Sequence, residues 1–211
     1  MFNVCPECGG WTPDKKVDYQ RAIAACPQCD AEIPVQLQPL FILTGASGAG
    51  KSATCMALMG RLTEVVVLEA DILWFDYFHD PEKWSLLFDL WLRMCKNIGQ
   101  SGRPVLLCGA GMGVPANLQA SVEHRYFSTI HYLALTCDDA TLTERLKARP
   151  AWRGIDDDFI KSQLEFNNWF KTEGPQQEPP IALLDTTDIT VQESVRQVEE
   201  WVAQQLMKNT S

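Results

Sequence analysis

Short apolar runs alternate along this chain with longer segments in which apolar residues recur at helical spacing. Leu40-Phe41-Ile42-Leu43, Val65-Val66-Val67-Leu68, Pro104-Val105-Leu106-Leu107-Cys108, Ile130 to Thr136 and Ile181-Ala182-Leu183-Leu184-Asp185 read as strands. None alternates apolar with polar, so each is expected to be covered on both faces of a parallel sheet. Between them, residues 52 to 62 carry Cys55, Leu58, Met59 and Leu62 one helical turn apart. Asp80-Pro81 reads as a cap and first-turn proline, opening a helix striped by Trp84, Leu87, Phe88, Trp91, Leu92, Cys95 and Ile98 and closed by Gly99 and Gly102. Residues 142 to 149 form a helix ended by Pro150, and residues 156 to 171 form another. Thr190-Val191-Gln192-Glu193 is a capping box, and Val191, Val195, Val198, Val202 and Leu206 supply the stripe of the last helix. Strand and helix in strict alternation predict an α/β fold, a doubly wound five-stranded parallel sheet, over residues 39–211.

The first 38 residues break that pattern and carry different chemistry. Cys5-Pro6-Glu7-Cys8 and Cys26-Pro27-Gln28-Cys29 are paired C-P-x-C knuckles, the spacing of a four-thiolate zinc site. Four sulfurs close the coordination sphere and leave no position for water, so Zn²⁺ here is expected to be structural. So short a segment buries too little apolar surface to fold without the metal. Lys15, Lys16 and Arg21 stand against Glu7, Asp14, Asp18, Asp30 and Glu32, a side-chain balance of −2 before the thiolates are counted. That sign fits a docking, lid or dimerisation element better than a nucleic-acid clamp, and a homodimer is one arrangement it would allow. Pro34 and Pro39 bracket the connector to the first long strand, placing the domain boundary between 38 and 39.

The strand at 40 to 44 runs into Gly45-Ala46-Ser47-Gly48-Ala49-Gly50-Lys51-Ser52, which satisfies G-x-x-x-x-G-K-[ST] at each fixed position. Strand, loop and helix follow in the order a phosphate cradle requires. The glycines let backbone N–H groups converge on phosphate oxygens, Lys51 reaches the β- and γ-phosphates, and the Ser52 hydroxyl can ligate Mg²⁺. The start of the following helix adds its free N–H groups and its dipole.

Other candidates lie at the carboxyl ends of the strands, where ligands bind in such sheets. Glu69 and Asp71 follow the second strand two residues apart, on one side if the strand continues; either is also able to cap the next helix. Trp74, Phe75, Tyr77 and Phe78 come next, suited to a substrate pocket or to core. No acidic residue ends the third strand, where Gly109-Ala110-Gly111-Met112-Gly113 follows, so the aspartate that motor and switch ATPases carry there is missing. His124 and His131 are single histidines read as structural. Arg145 and Arg149 share a helix face, Arg153 lies beyond Pro150, and all three are expected to converge on a transferring phosphoryl group.

Composition narrows the partners. With 27 acidic and 18 basic side chains the net charge is −9, which gives no general field for polyanions, so nucleic acid is a poor partner. The N-terminus lacks a basic stretch followed by a long apolar run, and no apolar segment is long enough to span a bilayer. A cytoplasmic protein is expected, with Cys55, Cys95, Cys108 and Cys137 as buried small hydrophobes.

Taken together, Gly-Ala-Ser-Gly-Ala-Gly-Lys-Ser at 45–52, Asp71, Arg-Leu-x-x-Arg at 145–149 with Arg153, and Asp185-Thr186-Thr187 resemble the small P-loop kinases over residues 40 to 206. That group includes gluconate, shikimate and nucleoside monophosphate kinases and chloramphenicol phosphotransferase. The chain also resembles bacterial nucleoside-kinase-like ATPases that carry the same N-terminal ribbon. The resemblance implies ATP over residues 45 to 53, Asp71 as the group that orients or deprotonates an acceptor hydroxyl, and the three arginines in a closing lid. It implies a nucleoside, sugar acid or antibiotic as acceptor, with Ala53 departing from the threonine common at that position. A nucleotide-dependent regulatory module gripping a protein partner through the ribbon is a second reading, and a polynucleotide end kinase a third.

Overall fold

A computed structural model describes residues 2–208. Its larger sheet is all parallel, built from β4 (Leu40–Gly45), β5 (Val66–Glu69), β6 (Val105–Cys108), β7 (Ile130–Thr136) and β8 (Ile181–Asp185) in the spatial order β5-β6-β4-β7-β8. The central strand β4 therefore has the chain departing to opposite sides, and the crevice where the order reverses opens at its carboxyl end. Before it comes a three-stranded antiparallel sheet of β1 (Lys16–Asp18), β2 (Ile23–Ala25) and β3 (Glu32–Pro34).

Successive residues of β4 explain why the strand is apolar throughout. Leu40 and Ile42 point to one face, against α2 (Trp84–Gly99), α3 (Pro115–Gln119) and α5 (Asp157–Thr172), where Trp91, Leu92, Leu118 and Phe170 are buried. Phe41 and Leu43 point to the other, against α1 (Lys51–Leu58) and α6 (Val191–Lys208), with Cys55, Leu58, Val195, Val198 and Val202. A third cluster joins α4 (Asp139–Lys147) to α5 through Leu142, Leu146 and Ile160, and includes Ala46 of the glycine-rich loop.

Several local expectations are adjusted. Helix α1 stops at Leu58, turned out by Gly60 at φ 79°, and Met59 is exposed rather than part of the stripe. Val191 is exposed at the open first turn of α6, although Thr190 Oγ1 accepts the Glu193 N–H at 3.2 Å as a cap should. Asp80 caps a 3-10 turn, Pro81–Lys83, that leads into α2. Of the aromatic cluster, Phe78 is buried while Trp74, Phe75 and Tyr77 remain exposed.

The two C-P-x-C knuckles share one turn geometry. Cys5 N–H donates to Gly10 O at 2.8 Å and Cys26 N–H to Ala31 O at 2.9 Å. Residues at positive φ, Gly9 and Asp30, close the respective turns. The ribbon does not float free. Ala24 and Val35 share a buried cluster with Tyr126 of the α/β part, and Tyr126 donates its hydroxyl to Pro13 O.

Candidate active site and metal centre

The phosphate loop keeps its shape through contacts that only glycine permits. A side chain on Gly45, at φ 135°, would start 2.2 Å from Leu135 O, and one on Gly48, at φ 93°, would lie 2.9 Å from Leu142 Cδ1. The loop is thus pressed against β7 on one side and α4 on the other. Lys51 folds back over it, donating to Gly45 O at 2.8 Å and Ala46 O at 2.9 Å.

Around this loop lies a mostly polar cavity of about 150 Å³, lined by Ser47, Lys51, Ser52, Glu69, Asp71, Cys108, Gly109, Ala110, Arg149 and Arg153. Its size suits a phosphate chain rather than a whole nucleotide, whose sites run to ~300 Å³ and more. Strand register supplies one wall: Glu69 pairs with Cys108, which pairs with Leu43, so β5 and β6 end at one level and β4 runs two residues further into the loop. The strand does not continue to Asp71. It stops at Glu69, and a 3-10 turn over Ala70–Leu73 carries Asp71 onward, where both carboxylates line the cavity. Ala70 forces the turn's position by packing on Gly109, where a Cβ would lie only 2.5 Å from its own.

Charge is arranged across the cavity. Enclosure pulls the Lys51 ammonium down to about 8, with Asp71 opposing and Arg149 adding to the shift. Burial likewise lowers Arg149, aided by Arg153 and opposed by Asp71. Two arginines and a lysine therefore share one small cavity with two carboxylates.

Arg145 is not the third member. It turns to the end of β8, where Nη1 donates to Thr186 Oγ1 at 3.1 Å and Nη2 to Thr186 O at 2.7 Å. The buried Thr186 hydroxyl in turn lies 3.1 Å from Ala49 O and 3.0 Å from Thr136 O. Arg145 thus ties α4, β8 and the phosphate loop together. The reason is geometric: a separation of four residues shares a helix face, but Arg149 falls just past the last turn of α4 and swings to the cavity. One contact gave no sequence signal. Ser47 N–H, a backbone donor of the cradle, donates to Gln163 Oε1 of α5 at 2.8 Å. A glutamine on a polar helical face looks like any solvated residue.

The four knuckle sulfurs lie within 4.8 Å of one another. Cys5 and Cys29 Sγ are 3.7 Å apart and Cys8 and Cys26 Sγ 3.8 Å. A tetrahedron with Zn–S of about 2.3 Å has edges of about 3.8 Å, whereas a disulfide would bring sulfurs to about 2.05 Å. The donor set fits Zn²⁺. The other four cysteines are buried thiols, as expected, and burial pushes the Cys95 and Cys137 thiols up.

Solved structures decide the fold. A sugar kinase from Janibacter sp. HTCC2649 superposes with a TM-score of 0.58 at 14% identity, over 79% of this chain and 95% of that one. This chain has the fold of the small P-loop kinases. A gluconokinase from Sinorhizobium meliloti 1021 gives a TM-score of 0.57 at 18% identity, covering 83% of this chain and 99% of that one. The Mycobacterium tuberculosis APS kinase, solved with AMPPNP and APS, gives 0.54 at 16%, covering 81% and 99%. No family model and no curated protein matches the sequence. Among the described residues no helix is long and apolar enough to cross a membrane.

Proposed function

We propose that this protein is an ATP-dependent phosphotransferase acting on a hydroxyl or phosphate of a small molecule, a nucleoside or nucleotide, a sugar acid or an antibiotic. The observation that carries this reading is one cavity lined by Lys51 and Ser52 of the phosphate loop, by Asp71 across from them, and by Arg149 and Arg153. In this reading residues 45 to 53 cradle the triphosphate and the Ser52 hydroxyl holds Mg²⁺, which would neutralise phosphate charge there. Arg149 and Arg153 stabilise charge on the moving phosphoryl group, and Asp71 orients or deprotonates the acceptor. Glu69 lines the same cavity as Asp71 and is available to the same metal or acceptor. Arg145 acts as a positioning residue for the loop. We divide the chain into a zinc ribbon at 1–38 and the kinase part at 39–211, and read it as cytoplasmic.

The test is a screen of metabolites and antibiotics for ATP-dependent gain of a phosphoryl mass. With an acceptor in hand, Asp71→Asn should retain Mg·ATP binding and lose transfer by about 10²-fold or more, the scale of general base catalysis. Transfer by Asp71→Asn at the wild-type rate would remove Asp71 from the chemistry.

A further inference from the structure

Between the ribbon and the kinase part lies a cluster of buried charge that phosphate binding does not require. Lys96 of α2 is fully buried; its Nζ donates to Glu123 Oε2 at 2.5 Å and to Asn3 Oδ1 at 2.6 Å. Glu123, also fully buried, accepts from Arg93 Nε at 2.8 Å. Asn3 stands two residues before the ligand Cys5, and its carbonyl accepts from Thr12 N–H at 2.8 Å and from Lys15 Nζ at 3.2 Å. Lys15 is the second fully buried lysine, and it directs its other bonds to Phe2 O at 3.2 Å and Thr12 O at 2.8 Å. The Lys96 ammonium sits 4.5 Å from the Tyr126 ring and 5.1 Å from the Phe2 ring, closing the cluster with aromatic faces.

We infer that the ribbon is a fixed wall of the kinase domain and that metal occupancy and the packing of helix α2 are coupled through this cluster. An ammonium removed from water must keep its acceptors, because an orphaned buried charge is far costlier than an orphaned amide. Here the acceptors are carbonyls of residues 2, 3 and 12 and the Asn3 side chain. Their positions follow from the first knuckle, in which Gly9 N–H donates to Cys5 O at 2.9 Å and Cys5 N–H to Gly10 O. The metal clamps that knuckle through Cys5 and Cys8. Without the clamp the segment 2–12 keeps the Phe2 ring against Tyr126 as its apolar anchor, and Lys15 and Lys96 lose acceptors in a place water does not reach. A coupling of this kind is reciprocal: what metal does for α2, the α2 cluster must do for metal. The consequence reaches the cavity, since Phe88 of α2 packs 3.5 Å from where a Gly111 Cβ would stand, next to Gly109 and Ala110 of the cavity rim.

The measurement uses the full metal-loaded chain. Release of metal to a chromophoric chelator is timed in the wild type and in Lys96→Met/Glu123→Leu, a double change outside the ribbon that leaves only Arg93, one-third exposed to water, without its carboxylate partner. The double variant is expected to release metal about tenfold faster or more, with all four cysteines intact. Stripping the metal from the wild type should lower the melting temperature of the whole chain in one transition. It should also speed hydrogen exchange at 92–99 and 122–127 more than in α6. Asn3→Ala serves the same purpose if the double variant does not fold. Arg21→Ala, which breaks only the exposed pair with Glu32, is the control. Wild-type release from the cluster variant, equally fast release from Arg21→Ala, or stripping that melts the ribbon while α2 exchange stays unchanged would each overturn the coupling.

Discussion

Lys51 shows how one residue's surroundings set a measurable behaviour. Its ammonium, enclosed and held near 8, has only carbonyl partners until phosphate arrives. Bound polyphosphate favours the charged form, so its pKa rises in the complex and binding takes up a proton above the free-state value. Nucleotide affinity is therefore expected to be greatest below about pH 8 and to fall as pH rises beyond it. The sign for folding is opposite in kind: the unfolded chain holds the proton up to the ordinary value of 10.5, so stability of the nucleotide-free protein rises between about 8 and 10.5. Calorimetry in buffers of different ionisation enthalpy reads the proton uptake directly, and Lys51→Met should abolish it. The sequence motif alone identifies Lys51, because the loop pattern is local. Its lowered pKa was not legible there, since it comes first from enclosure by distant elements, with Asp71 opposing and Arg149 adding to the shift.

At the level of elements, α4 and the turn after it separate two arginines that sequence spacing had grouped. Arg145→Ala removes the bonds to Thr186 and should cost about 1–3 kcal/mol of stability, with chemistry affected only through the loop. Arg149→Ala should leave the melting temperature nearly unchanged and lower turnover by about 10²-fold or more. Equal effects of the two on turnover at unchanged stability would restore a shared lid role. The inner strands β4, β6 and β7 were legible because burial on both faces leaves unbroken apolar runs; β7 and β8 match the expected bounds, although the edge strand β8 leaves Ala182 and Leu183 exposed rather than covered on both faces. The 3-10 turn bearing Asp71 was not legible, because it answers to the close packing of Ala70 on Gly109 across the sheet.

Across the whole molecule, the ribbon and the kinase part meet through residues that a residue-by-residue reading assigns to solvent. Lys15, Lys96 and Glu123 are charged, yet all three are fully buried. The one hint was periodic: Lys96 follows Leu92 by one helical turn and so falls on the apolar stripe of α2. Arg125, between α3 and β7, pairs with Asp14 of the ribbon at 2.5 Å. The fold as a whole therefore presents a four-cysteine cluster on one flank and a phosphate-sized cavity at the sheet's switch point. The central claim is that this cavity receives the phosphate chain of a nucleoside triphosphate. Titrating Mg·ATP, and then Mg·GTP, into the metal-loaded protein in a calorimeter tests it most directly. A saturable one-to-one heat that disappears in Lys51→Met is expected; folded wild-type protein that gives no heat with either nucleotide would contradict it.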